Sequence, residues 1–344
     1  MLLNFAYPNN INKFLTDKGT TPTPALADSI AGCITQAHEY FRASKEASLA
    51  TSPMLAFYGA ENLMRGVSAL RSASVAKIMS HGMTITDTAP PPRIGDFAVS
   101  TFARTNTALA HFVHEFSSGT VSIPKSEWSI LELLAAIPEL KDEFEACYPK
   151  DQALTIPVQM VKRRTDQLER VRPADLTRFP SPTDALQRVE GFLGAYLMPQ
   201  ISPQMDYIVL RRKLGSQEIG EFSISGQKFL NLGHIKGAQE ITLPPVIRFF
   251  LGLFGLGFIS RYRSEVWASF VRNDSTGERH LIEKFVSLSR RIVPNMCLSH
   301  IHESRIVFSN DAEGLLDLTK TISQDELKKM ISEAASDLRE DGKL

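Results

Sequence analysis

The chain has 344 residues, 43% apolar and 22% charged, which excludes a disordered or low-complexity protein and exceeds the length at which one core usually keeps growing. Lys plus Arg and Asp plus Glu both number 38, so the formal charge is zero and the basic excess of a dedicated duplex-binding domain is absent. Cys33, Cys147 and Cys297 are odd in number and far apart, which excludes a disulfide framework or a cysteine-based zinc site and points to a cytoplasmic home.

In chain order, residues 1–22 read as an irregular arm, with Asn and Pro where a signal peptide needs an apolar run. Thr23-Pro24 supplies a cap and first turn for a helix over Ala25–Ala47. Ser52-Pro53 opens a second helix to about Ser72, and the short connection implies an antiparallel hairpin. On this helix Ala56, Ala60, Leu63, Met64, Val67 and Leu70 gather on one side. Tyr58, Glu61, Asn62, Arg65 and Ser72 gather on the other, with Glu61 four residues before Arg65 in the favourable ion-pair order.

After His81-Gly82 the segment MTITDTAPPPRIGDFAVST suits short strands or an extended excursion. A brief helix is predicted over Asn106–Glu115, and a longer one over Ser126–Tyr148 with an interruption at Pro138. Residues 151–182 carry Lys162-Arg163-Arg164, Arg170 to Arg172 and many prolines, and read as a linker between a unit at 1–150 and another at 183–310. In the second unit we expect a helix over Ala185–Leu197 and a strand pair, Tyr207–Leu214 with Glu221–Ser225. A long helix from Pro244 to Val271 follows, then helices at Leu281–Ile292 and Met296–Ile306. A charged tail over 311–344 has a capping box at Ser323 and Glu326, a candidate docking helix for a protein partner. The stretch VIRFFLGLFGLGFIS is shorter than the roughly 20 residues of a membrane span and contains Arg248, so it reads as a buried helix without membrane contact. Its glycines at 252, 255 and 257 suggest that another backbone approaches closely. The fold class is therefore mainly α with a minor β component (α+β).

Two groups carry candidate chemistry. The stripe of Tyr58, Glu61, Asn62 and Arg65, with His81 returning beside it, offers a proton-transfer imidazole and a phosphate-gripping guanidinium. The same residue types also make a solvated helix face with a histidine in a turn, and residue type alone favours that plainer reading. Arg261, Tyr262 and Arg263, in RYRSEVW, suit base stacking and phosphate contact, or structural pairing with Trp267 in the core. HFVHE at His111 to Glu115 matches no metalloprotease order, and Cys297, His300 and His302 lack a further ligand, so no metal and no cofactor is expected.

Four stretches, in order, resemble the YaaC-like family of bacterial proteins over about residues 20 to 305: SPMLAFYGAENLMRGVSAL, Ser80-His81-Gly82-Met83, SILELLAAIPEL and FISRYRSEVWASF. Phe57 stands where that family often has Tyr, Arg65 where it has Lys, and Ser264 where it has Pro. The first helix pair with His-Gly is also similar to HEPN-type domains, whose active members are metal-independent RNases with an Arg and a His separated by four to six residues. Nine residues separate Arg71 from His81, so that motif is not met. The resemblances imply a cytoplasmic regulatory protein of stress or antiphage defence that binds nucleotide, RNA or a protein partner. The alternatives are a ribonuclease-like or nucleotidyl-acting enzyme, with His81 as acid or base and Arg65 or Arg261 on phosphate, and a structural subunit of a larger complex. Oligomerisation is compatible with each.

Overall fold

In the computed structural model the described residues are 2–86, 93–117, 126–151, 153–162, 167–176, 181–189, 191–199, 201, 206–216, 218–232 and 243–306. Residues 1–306 group as one compact unit, and the expected tail helix lies outside the described residues. The protein is mainly α with a minor β component.

The N-terminal arm is more ordered than its polar sequence suggests. A 3-10 turn at Leu2–Ala6 leads into helix α1, Pro8–Asp17, which buries Ile11 and Leu15 one turn apart. Helices α2, Pro24–Glu46, and α3, Ser52–Ser72, form the expected hairpin. Thr23 Oγ1 accepts the Leu26 amide at 3.2 Å, which caps α2. All six apolar residues assigned to one side of α3 are buried. Glu61, from the opposite side, is buried too, because a second layer covers that face.

That layer begins with a three-stranded antiparallel meander, β1 Met83–Ile85, β2 Ala98–Thr101 and β3 Glu127–Ser129. Between β2 and β3 runs α4, Ala108–Phe116, capped by Thr107. The helix expected from Ser126 instead starts at Ile130, since Trp128 is buried on β3 and Ser129 with Glu132 makes a reciprocal capping box. It runs as α5, Ile130–Ala135, breaks at Pro138 and resumes as α6, Lys141–Cys147.

The supposed linker contains β4, Thr155–Lys162, and β5, Gln167–Val171. Ile156 and Val158 alternate inward, a strand pattern that the basic run after it obscured. The segment Ala185–Leu197 is not one helix but α7 Pro182–Gln187, α8 Phe192–Ala195 and β6 Tyr196–Leu197, separated at Gly191 with φ +73°. With β7 Ile208–Arg212, β8 Glu221–Phe222 and β9 Lys228–Asn231 the strands form a curled antiparallel sheet ordered β6-β7-β5-β4-β9-β8. β7 and β8, expected to pair, lie apart: β7 pairs with β5 and β6, and β8 with β9.

The central element is α9, Pro245–Tyr262, buried along most of its length against α3, α4, α5 and the first sheet. Arg248 within it is satisfied by Glu221, at 2.7 Å through Nη1, and by the Ala136 carbonyl at 2.9 Å. A Cβ at Gly257 would lie 3.3 Å from Met54 Cα, so one of the three glycines does meet backbone. The other two meet side chains instead: Phe285 at Gly252, Val99 and Ile130 at Gly255. The chain breaks at Arg263 and restarts as α10, Ser264–Asn273, so the long helix ends earlier than expected. The last two expected helices are one, α11 Glu278–His302, with Pro294 inside it. Ile292, Val293, Cys297 and Leu298 are buried on both sides of the proline and hold the helix continuous across the lost hydrogen bond.

Candidate functional site

The start of α3 and the end of α9 cross beside the turn that carries His81. From α3 come Met54, Phe57 and Tyr58, and from α9 come Phe254, Phe258, Arg261 and Tyr262, each set at helical spacing. With His81 and Met83 they line an open cleft of about 160 Å³.

The His81 turn is held tightly. Ala108 N donates to Ser80 O at 2.9 Å, Leu109 N to His81 O at 3.1 Å and Phe102 N to Gly82 O at 3.0 Å. Gly82 has φ +86°, and a Cβ there would lie 2.5 Å from Thr107 Oγ1. Only glycine fits, on conformational and steric grounds together.

His81 Nδ1 is buried and lies 3.2 Å from Glu61 Oε2, a close polar contact rather than a well-directed hydrogen bond. Its ring packs against Phe57, at 5.3 Å between centroids, and Phe254, at 6.1 Å. The side chain is 40% exposed overall, so with Nδ1 buried the Nε2 side faces the cleft. Arg65 holds the other Glu61 oxygen, through Nε at 3.1 Å and Nη2 at 2.7 Å. Burial pushes the Glu61 carboxyl up, but the neighbouring His81 and Arg65 outweigh it and hold the group below its ordinary 4.5. Glu61 thus fixes the histidine ring and stays ionised while doing so.

On the opposite wall Arg261 Nη1 donates to Tyr58 Oη at 3.0 Å. The Arg261 guanidinium lies 4.9 Å from the Tyr262 ring centroid, and Tyr262 packs on Phe258 at 4.8 Å. The arginine is thereby pre-set by the Tyr58 hydroxyl and the Tyr262 ring on the cleft wall.

Of the residues picked from sequence, Tyr58, His81, Arg261 and Tyr262 line one cleft. Glu61 and Arg65 stand behind the histidine as its support, outside the cleft lining. Asn62 is turned to its own helix, donating to Tyr58 O at 2.9 Å. Arg263 sits at the α9–α10 break, outside the lining, and Trp267 is a core residue whose Nε1 donates to Leu49 O at 3.1 Å. Arg71 is engaged by Glu303 and, at 3.7 Å, by Glu115.

Other polar groupings escaped the sequence reading. His300 Nε2 meets Glu115 Oε1 at 2.9 Å, a hydrogen bond that joins the HFVHE and CLSHIH stretches. Cys297 of the latter is fully buried, which pushes its thiol up. Lys228, Glu169 and Tyr196 form a buried cluster inside the curled sheet. No spacing signal announces contacts between residues this far apart in the chain. Among the described residues no group of three or more His, Cys, Asp or Glu converges as metal ligands.

A carboxyl whose folded pKa lies below its unfolded value stabilises the fold above the unfolded value, and the contribution disappears as pH falls through the folded one. Wild-type protein is therefore expected to lose stability below pH 4.5 more steeply than Glu61→Gln, by up to about 1.4 kcal/mol per pH unit. Urea midpoints measured at several acidic pH values check this; parallel curves would contradict the Glu61 pairing.

The fold and the cleft together define an α+β protein whose helical hairpin and buried central helix enclose an aromatic-walled, His- and Arg-lined hollow. The sequence profile described as YaaC-like protein matches residues 10–301, and the chain belongs to the YaaC-like family. No curated protein and no solved structure matches it.

Proposed function

We propose that the cleft between α3 and α9 binds a nucleotide, either free or as the end of a single-stranded RNA, and that the protein acts as a nucleotide-responsive regulatory protein. One observation carries the reading. A guanidinium pre-set by Tyr58 and Tyr262 faces, across aromatic walls, an imidazole whose inner nitrogen is tied to a buried carboxylate. Aromatic faces hold a base, the arginine holds a phosphate, and the His81 Nε2 side reads a hydroxyl or base edge. The volume, about 160 Å³, is below the roughly 300–1,000 Å³ of drug-sized sites, so it suits one planar ring with its charged group outside. The setting in stress or antiphage defence rests on the likeness of the first helix pair to HEPN domains.

The Glu61–His81 pair favours a second reading, metal-independent RNA cleavage. In it His81 Nε2 takes the 2′-hydroxyl proton, the 2′-oxygen attacks phosphorus, and the 5′-oxygen leaves with a proton from solvent. Arg261 offsets the charge on the phosphoryl oxygens.

Calorimetric titration with nucleoside monophosphates and a short unstructured RNA tests both. Arg261→Ala and Tyr262→Ala are each expected to weaken binding at least about tenfold. Cleavage abolished by His81→Ala would favour the second reading. Failure of every nucleotide to bind at millimolar concentration would end both.

A further inference from the structure

A second hollow, sharing no residue with the His81 cleft, lies between α11, β8 and the Pro244-Pro245 corner. Its volume of about 410 Å³ falls in the roughly 300–1,000 Å³ range of small-molecule sites. Phe222, Val246, Ile292 and Met296 give it an apolar lining.

The charged groups on its wall are not equivalent. Glu221 is neutralised by Arg248 and His300 is engaged by Glu115. Arg305 differs. Its guanidinium lies 3.5 Å from the Phe222 ring centroid, and its Nε is shielded from solvent without a hydrogen-bond partner. The residue is held in place by its neighbour: Asn295 Nδ2 donates to Ile306 O at 3.0 Å, and Ile306 N donates to Ser299 Oγ at 3.0 Å. A shielded charged donor left unpaired in an apolar hollow is costly unless a ligand completes it.

We propose that this hollow binds a small organic carboxylate with an apolar, aryl-sized body, the carboxylate pairing with Arg305 and the body lying against Phe222, Ile292 and Met296. A planar carboxylate matches the two-pronged edge of one guanidinium. Phosphate fits poorly, because Arg305 is the one Arg or Lys among the described residues of the lining. The negative end of the α11 dipole also lies here, and it opposes a phosphate dianion more than a monoanionic carboxylate. The Ser299 hydroxyl, which accepts from Ile306 N, keeps its proton as a further donor.

Isothermal titration of the full chain with phenylacetate, its neutral isostere phenylacetamide and inorganic phosphate tests the site. Phenylacetate is expected to bind, phenylacetamide at least about tenfold more weakly, and phosphate not to compete. In Arg305→Gln the preference for acid over amide should disappear. Equal binding of acid and amide to the wild type, displacement by phosphate, or no binding of phenylacetate at millimolar concentration would each overturn the proposal. The acid–amide comparison uses wild-type protein, so the result does not depend on whether the variant folds.

Discussion

Glu169→Ala is expected to cost about 3–5 kcal/mol, a large part of the roughly 5–15 kcal/mol that holds a typical domain together. Lys228 on β9 is wholly inaccessible, and its ammonium meets Glu169 Oε1 on β5 at 2.8 Å, Tyr196 Oη on β6 at 3.2 Å and Glu218 Oε1 at 3.2 Å. None of these three strands is adjacent to another in the sheet order, so the cluster ties the curl together across its interior. Burial, and then the bond to Glu169, push the Tyr196 phenol well above its ordinary range, so it stays a neutral donor to that carboxylate. Removing the carboxylate leaves a buried cation and an orphaned hydroxyl. Glu218 compensates only in part, since it is 43% exposed and screened by water. Replacing both charges, as Glu169→Leu with Lys228→Met, should recover most of the loss, because a packed apolar pair has no desolvation to offset. Urea denaturation of wild type and the two variants followed by circular dichroism measures this. A single variant within about 1 kcal/mol of wild type would show that Lys228 reaches water with little rearrangement.

How far the fold could be read in advance depended on whether its cause was local. The α2–α3 hairpin was legible because Thr23, Pro24 and Pro53 act on the next few amides and the apolar stripe repeats at helical period. The break at Pro138 is local in the same sense. Local rules failed where tertiary packing decides. Pro294 should have ended a helix, yet core contacts on both sides carry α11 through it. The basic residues around 162 suggested a solvated linker, while alternation at Ile156 and Val158 placed a central strand there. The pairing of β7 and β8 was inferred from nearness in sequence, but β9 and β5 supply the actual neighbours. The same division runs through the candidate site. Glu61 and Arg65 are legible as an i,i+4 pair. Turning Tyr58, His81, Arg261 and Tyr262 toward one cleft needs α9 to pack on α3, which Gly257 permits by its approach to Met54. Arg305 had no signal at all, since its meaning lies in what it fails to touch.

Gly82→Val should both destabilise the protein, by about 3 kcal/mol or more, and displace His81 from the cleft. Two effects add at this position. The left-handed backbone at φ +86° disfavours any β-carbon, by roughly 1–2 kcal/mol for ordinary residues and more for a branched one. The new atom would also lie 2.5 Å from Thr107 Oγ1 and 2.6 Å from Thr107 Cβ. Thr107 cannot simply withdraw, because its hydroxyl caps α4 by accepting the Ala110 amide at 3.2 Å. The chain relaxes instead by moving the 80–82 turn away from α4, and the hydrogen bonds of Ser80, His81 and Gly82 carbonyls go with it. His81 then leaves Glu61, so nucleotide binding should fall further than loss of stability explains. Gly82→Ala with Thr107→Gly separates the causes: no Thr107 side-chain atom is left to meet the new β-carbon, while the backbone strain and the lost cap side chain, about a few tenths of a kcal/mol, remain. Partial recovery of binding in that pair, with the imidazole nitrogen shifts returning toward wild type by NMR, is the expected outcome. If Gly82→Val matches wild type in both stability and imidazole shifts, the turn does not position the histidine.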